Sequence, residues 1–373
     1  MEVTPYGSLP LKLKYLVRAC QFLGIWCFKI SPSPASPNRV VANVPLLLWV
    51  IFMKTFQVNV ILYSSLTMIK FCSEIDVGIM IGWSLFIVSS ILLVVGQISF
   101  VTHCPTLCHI LSECEADAWP KVKEFSVEKI MNLAFYCSYV FIIILTWIYK
   151  QDSDASQILD TFFFSLNMIS IMVITLIFRE MLNLAASNVS INNLHLNEQP
   201  FHLHTGAAEC GPLLHLLERK ILKMEHLRGK TVDCFLTSIS LSICNSLFMI
   251  TANMYYIIYY LKWKAYTPFP PCFFYLMAGF ATLIHTCYSA HNFSQHVRRV
   301  CDELRKMRTK VRGLEDRTQL DYLISTLDRM ETFNMGSWFC LSPNTLVSVS
   351  AALLGFPGTE FYIRSGRVGA SHS

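Results

Sequence analysis

The chain has 373 residues, 53% of them apolar and only 15% charged, with a formal net charge of +5 and a pI near 8.5. Soluble domains run at about 45–50% apolar and about 25% charged, so too little charge is present here to clothe a water-soluble globule. The apolar excess faces lipid, which excludes a soluble enzyme, a disordered chain and, at so mild a positive charge, a nucleic-acid binder; an all-α integral membrane protein is expected.

Residues 1–43 form an N-terminal segment in which Met1 to Pro10 shows neither the basic start nor the apolar core of a cleavable signal. Crossing the hydrocarbon core takes about 20 mostly apolar residues in a helix. Such runs lie at 44–69, 78–102, 131–149, 158–178, 232–261 and 272–291, giving a transmembrane region over 44–292 with loops at 103–130 and 179–231. The first run contains Lys54, which either snorkels to the interface or marks a helix that starts unusually deep. A seventh candidate, 345–356 (TLVSVSAALLGF), is apolar for only twelve residues before Pro357, Gly358 and Glu360. It falls short of a span, so 344–356 reads as a partial seventh helix and 357–373 as a polar tail. Several of the fourteen cysteines (Cys137, Cys234, Cys244, Cys287) sit inside the apolar runs and act there as small hydrophobes.

Lys and Arg set the orientation. The N-terminal segment holds five, the segment with Lys121, Lys123 and Lys129 three, the segment from Arg179 to Lys230 six, and 294–331 nine. The alternate loops hold only Lys70, Lys150, Lys262 and Lys264. The asymmetry predicts a cytoplasmic N-terminus, the opposite of a G-protein-coupled receptor. Trp147 and Tyr149 close the third run, and Tyr259, Tyr260, Trp263 and Tyr266 the fifth, at the expected outer interface. The outer loops 150–157 and 262–271 are short, so an external ligand has to bind between helices.

Two inner segments are more than connectors. Leu213, Leu217, Met224 and Leu227 interleave with Glu218, Arg219, Lys220 and Lys223, an amphipathic pattern leading into the fifth run. Val297, Val300, Leu304, Met307, Val311 and Leu314 follow a 3, 4, 3, 4, 3 spacing, a heptad seam; Gly313 interrupts it, and Leu320, Leu323, Leu327 and Met330 restart it. Residues 293–343 are therefore expected to form cytoplasmic helices of an anchoring kind. Spacing alone leaves open whether they pack within one subunit or join subunits.

The topology and two local segments together resemble the insect gustatory receptor family, the inverted seven-helix chemoreceptors. The stretch 15–30 (YLVRACQFLGIWCFKI) is similar to the family's apolar segment with a Leu-Gly pair ahead of the first span. The stretch 332–350 (TFNMGSWFCLSPNTLVSVS) resembles its entry into the last helix through Phe333, Gly336, Phe339, Leu341, Thr345 and Leu346. The resemblance runs from about Tyr15 to Ala352. It implies a tetrameric ligand-gated cation channel, homo- or hetero-oligomeric, in the cell membrane of a sensory neuron, whose last helix lines the pore. The chain departs from the family after Ala352: the family's Thr-Tyr pair and Gln-Phe pair are replaced by LLGFPGTE and a Gly/Ser-rich tail.

Polar and aromatic residues in the outer halves of the runs are the ligand candidates: Thr146, Trp147, Phe163, Asn167, Asn253, Tyr256, Tyr259 and Tyr275. The resemblance implies a pocket among these helices, whereas the residues themselves equally fit interhelical hydrogen bonding and interface anchoring. His285 reads as a hydrogen-bonded interior histidine. His103, Cys104, Cys108, His109 and Cys114 have residue types that suit zinc, but they crowd one helix end where closed sites combine two separated ligand pairs. No metal and no cofactor are expected. The chain contains no phosphate-binding loop, Gly-x-Ser-x-Gly or His-Glu-x-x-His, so no enzyme is expected either. The expected function is a taste receptor subunit that takes a small-molecule tastant and contacts membrane lipid. An odorant receptor, a non-conducting regulatory subunit and a transporter are the alternatives.

Overall fold

The helices begin and end where the apolar runs meet their breakers, and several continue well past them. The computed structural model describes residues 11–31, 39–71, 77–113, 155–187, 210–262, 269–311, 313–331, 333–335 and 339–342, with single positions at 140, 144, 189 and 348. Helix α1 (Leu11–Phe22) leads into an antiparallel pair, β1 (Phe28–Ser31) with β2 (Arg39–Ala42), in the register Phe28 to Ala42. Helices α2 (Val44–Phe71), α3 (Val77–Glu113), α4 (Ala155–Ser187), α5 (Cys210–Lys262), α6 (Phe269–Lys310) and α7 (Leu314–Glu331) follow. A short ladder of β3 (Asn334–Met335) with β4 (Phe339–Cys340) comes last.

Among the described residues, four helical stretches are long and apolar enough to cross a membrane: Val44–Phe71, Ser84–Leu111, Ser165–Ser187 and Leu214–Ile258. They contain or overlap the expected first, second, fourth and fifth runs. The expected sixth run lies inside α6. The third lies outside the described residues except for Val140 and Ile144, both helical and exposed. The partial seventh helix and the polar tail lie outside them apart from position 348.

α1 stops in a Schellman cap. The Ile25 N–H donates to the Cys20 carbonyl at 2.9 Å and the Gly24 N–H to the Gln21 carbonyl at 3.2 Å, which satisfies the last helical carbonyls. Gly24 takes φ +66°, and a Cβ there would lie 2.8 Å from Met53 Cβ and Cγ. The Leu-Gly pair noted in the sequence is thus the turn that seats the N-terminal segment against α2.

α2 presents one narrow stripe to the protein: Val50, Met53, Gln57, Val60 and Ser64, spaced 3, 4, 3, 4. Its other faces leave Leu48, Ile51, Phe52, Leu62 and Leu66 exposed, as suits a helix surrounded by lipid. α3 runs beyond the expected limit at Thr102 to Glu113, through Pro105. Its extension buries Cys104, Leu107, Cys108, Ile110 and Leu111, in one core with Leu13, Leu16, Val17 and Cys20 of α1. That packing carries the helix across a proline that costs one backbone hydrogen bond. α5 joins the amphipathic segment and the fifth run into one helix of 53 residues, with Leu214, Leu217, Ile221, Met224 and Leu227 buried.

Among the described residues, α3 and α5 form the largest helix interface. Gly96 allows close approach, and Ser238 Oγ–H donates to its carbonyl at 2.8 Å; Ser89 and Asn245 hydrogen-bond across the same seam. α5 and α6 approach closely at Gly279, where a Cβ would meet Ile250 Cγ1 at 2.9 Å and the Ser246 carbonyl at 3.2 Å.

The heptad seam packs within the chain. Val297, Val300, Leu304, Met307 and Val311 are buried, and α7 returns antiparallel with Leu320, Leu323, Leu327 and Met330 buried against α6 and α5. Leu314 departs from the expected pattern: it is 82% exposed. α6 ends at Lys310 and α7 returns from Leu314, so Leu314 opens α7 in a new phase instead of ending the α6 seam. Arg305 bridges to Asp328 at 2.9 Å and Arg308 to Asp321 at 3.0 Å along the outside of this hairpin.

A line of aromatic contacts ties the charged end of the molecule together. Trp26 meets Phe100 at 6.3 Å, Phe100 meets Phe235 at 5.5 Å, and Phe235 meets Phe178 at 5.5 Å. Phe333 then touches Phe178 at 5.9 Å and Phe293 at 6.0 Å, both edge-on. Five ring pairs thus connect the N-terminal segment, α3, α5, α4, the segment after α7, and α6.

Candidate functional site

The strongest polar feature within the apolar helices is a cluster of Lys54, Gln57, Gln97 and Asn167. α2 supplies the first two, α3 the third and α4 the fourth, each in the middle third of its helix. Gln57, Gln97 and Asn167 are 1% exposed or less, and Lys54 is half-buried on the flank of the α2 stripe. The Lys54 ammonium donates to Gln57 Oε1 at 2.9 Å and to Gln97 Oε1. Gln57 Nε2 donates to Gln97 Oε1 and to Asn167 Oδ1, both at 3.2 Å, and Gln97 Nε2 donates to Asn167 Oδ1 at 2.9 Å.

The lysine fixes every direction in this network. An ammonium can only donate, so both glutamine oxygens turn to Lys54 and both amide nitrogens turn to Asn167. The Asn167 oxygen therefore faces the glutamines, and its Nδ2, buried, is left without a partner. Lys54 neither snorkels nor marks a deep helix start. α2 begins ten residues earlier at Val44, and the amine folds inward to the amides. Sequence reasoning noticed Lys54 and Asn167 separately but missed Gln57 and Gln97. Gln57 falls in register with Val50, Met53, Val60 and Ser64, which was the available signal.

Beside Gln97 a narrow cleft runs between α3, α4 and α5, about the size of one water molecule. Its lining is apolar except for Gln97, Ser238 and Ser242; the Ser242 hydroxyl and the nearby buried Thr175 hydroxyl have no partner.

The other ligand candidates are dispersed. Phe163 is buried with Val60 and Val94. Asn253 turns its Nδ2 to the Met249 carbonyl of its own helix at 2.7 Å. Tyr256 is half-buried and meets Tyr255 edge-on at 6.0 Å, and Tyr275 is half-buried against the main core. Thr146, Trp147 and the Tyr259 side chain lie outside the described residues. His285 is buried in α6.

Of the last-helix entry residues, Phe333 and Leu341 are core residues joined by a hydrogen bond from the Leu341 N–H to the Phe333 carbonyl at 2.9 Å. The Arg228 guanidinium lies 5.5 Å from the Phe333 ring centroid. Phe339 belongs to β4, whereas Gly336, Thr345 and Leu346 lie outside the described residues. The residues weighed for zinc divide between two faces of α3. Cys104 and Cys108 point into the core, His109 is exposed and His103 half-exposed; Cys114 lies outside the described residues.

No family model and no curated protein matches the chain. Among solved structures it is similar to the insect olfactory receptor OR5 from Machilis hrabei, with a TM-score of 0.68 and 12% identity over 94% of this chain and 97% of that one. The same receptor in complex with eugenol gives a TM-score of 0.61, 12% identity, and coverage of 96% and 99%. The chain shares that receptor's fold along nearly its whole length.

Proposed function

We propose that the chain is a chemoreceptor subunit of the insect inverted seven-helix type, a ligand-gated cation channel with a cytoplasmic N-terminus. The observation that carries this reading is the shared fold with an insect olfactory receptor over 94% of the chain. The excess of Lys and Arg on one set of loops, and the charged α6–α7 hairpin they help build, support the orientation. A small molecule binding between the helices favours the open state by binding it more tightly than the closed one.

Within that class the sequence favours a taste receptor in a sensory neuron, through the Leu23–Gly24 pair and the segment from Phe333 to Leu341. The first is a helix cap against α2, and Phe333 of the second packs edge-on against Phe178. An odorant receptor is the second reading, and the specific observation for it is that both structures compared are olfactory, one of them holding eugenol. Expression of the full chain in cells, alone and with a conducting subunit, tests both while whole-cell current is recorded. A cation current evoked by bitter compounds or sugars is expected when a conducting subunit supplies the complete last helix. Current evoked only by volatile phenols such as eugenol selects the odorant reading, and damping of a partner's current selects a non-conducting subunit. Surface-expressed protein that neither conducts nor alters a partner's current overturns the channel reading.

A further inference from the structure

We propose that α1 lies on the cytoplasmic leaflet and that its outer face docks on acidic phospholipid headgroups. The choice of leaflet rests on the proposed orientation; the contact itself needs only that α2 crosses the bilayer. Helix α1 carries two apolar faces. Leu13, Leu16, Val17 and Cys20 line the first and are buried in the core shared with α3. The second is open. Tyr15 is 59% exposed and Phe22 73%, two helical turns apart on one stripe, with the exposed Arg18 between them. Rings so exposed on a helix that is already anchored by its other face mark contact with something apolar.

Two observations identify it as the membrane surface. The first is continuity. Trp49 of α2 donates its indole N–H to the Phe22 carbonyl at 2.8 Å and stacks on Phe52 with ring centroids 5.5 Å apart. Leu48 and Phe52 are exposed on the lipid-facing side of α2, so that surface continues from the first membrane helix onto the end of α1. A tryptophan with its polar edge on a carbonyl and its ring beside apolar residues suits an interfacial belt. The second is charge. Residues 11–43 contain Lys12, Lys14, Arg18, Lys29 and Arg39 and no Asp or Glu. Cations clustered directly before a membrane helix are attracted by an acidic leaflet, while aromatic residues on the same helix settle at the boundary of headgroups and acyl chains. A second copy of this chain carries +5 itself and is the poorer match by charge.

The test uses the full chain purified in detergent and reconstituted in nanodiscs of phosphatidylcholine containing a minor share of phosphatidylserine. Phe22→p-benzoylphenylalanine and, separately, Tyr15→p-benzoylphenylalanine place a photo-crosslinker on the outer face, where added bulk meets no packed core. Illumination is expected to give adducts of one phospholipid mass at both positions. The same substitution at Tyr322, exposed on α7, is expected to give none. Phosphatidylserine should be enriched among the adducts about fivefold or more over its share of the bilayer, the weight of a single Lys or Arg near an acidic surface. Arg18→Gln combined with Lys12→Gln and Lys14→Gln should bring that enrichment down while the protein stays monodisperse, and high salt should do the same. Crosslinks to a second chain in place of lipid, adducts in proportion to the bilayer composition, equal lipid adducts at Tyr322, or enrichment untouched by the triple substitution would each overturn the proposal. The adducts form without a tastant or a current, so a silent channel assay leaves the result standing.

Discussion

Gly24 and His296 show how single residues hold this fold through backbone geometry and protonation. Gly24 sits at φ +66°, where an L side chain costs about 1–2 kcal/mol, and its missing Cβ makes room for Met53. Gly24→Ala is therefore expected to lower the melting temperature of the full chain in detergent, and Gly24→Val to lower it further. His296 lies past the apolar part of α6 and its Nε2–H donates to the Val189 carbonyl at 3.0 Å, tying α6 to the end of α4. Burial, helped by Arg299, holds its imidazole below the ordinary value of 6.5, against the carbonyls of Val189 and Ala186. Above pH 6.5 the ring is neutral folded or unfolded, and its full contribution is present. As pH falls, the unfolded chain takes up the proton first and stability is lost. Melting curves between pH 7.5 and pH 5 should show a fall that His296→Gln flattens. At this scale the sequence displayed Lys54 and Asn167 as anomalies, yet their connection was hidden. Apart from the neighbouring Lys54 and Gln57, the partners stand 40 to 110 residues apart along the chain and meet only through the packing of three helices.

Element by element, the extent of each helix was more legible than its end. Hydropathy located α2 almost to the residue, because lipid-facing and core-facing positions are both apolar there and the run ends where charge begins. It stopped α3 too early, since Pro105 and the polar residues around it look like a terminus while the burial of Leu107, Cys108 and Leu111 against α1 overrides them. The seam was legible up to Val311 and failed at Leu314, because a turn resets helical phase and spacing across it carries no information. The α6–α7 hairpin separates two kinds of contribution. Leu323→Ala empties a fully buried position and is expected to cost about 2–5 kcal/mol, whereas Asp328→Asn removes an exposed bridge worth about 1 kcal/mol or less. Chemical denaturation of the full chain in detergent, read by circular dichroism, distinguishes the two. Comparable losses would mean that the hairpin is held by its charges.

At the scale of the whole molecule, everything described at the charged end is one connected body. α1, the long extensions of α3, α5 and α6, and α7 share a core whose aromatic line passes through Phe333, which precedes the last apolar segment. That segment, 345–356, would extend only about 18 Å as a helix at 1.5 Å per residue, against a hydrocarbon core of about 30 Å. On the proposed orientation, a segment of that length is expected to return to the cytoplasmic side. Antibody access to tags on both ends, compared between intact and permeabilised cells, follows directly from this geometry. Both tags are expected to label only after permeabilisation. A C-terminal tag that labels in intact cells would show that the segment crosses with the help of the residues after it, which restores a complete seventh span and a pore-lining helix. An N-terminal tag that labels in intact cells would reverse the whole topology. The aromatic body would then face outward, and the loop-charge argument would fail with the receptor reading built on it.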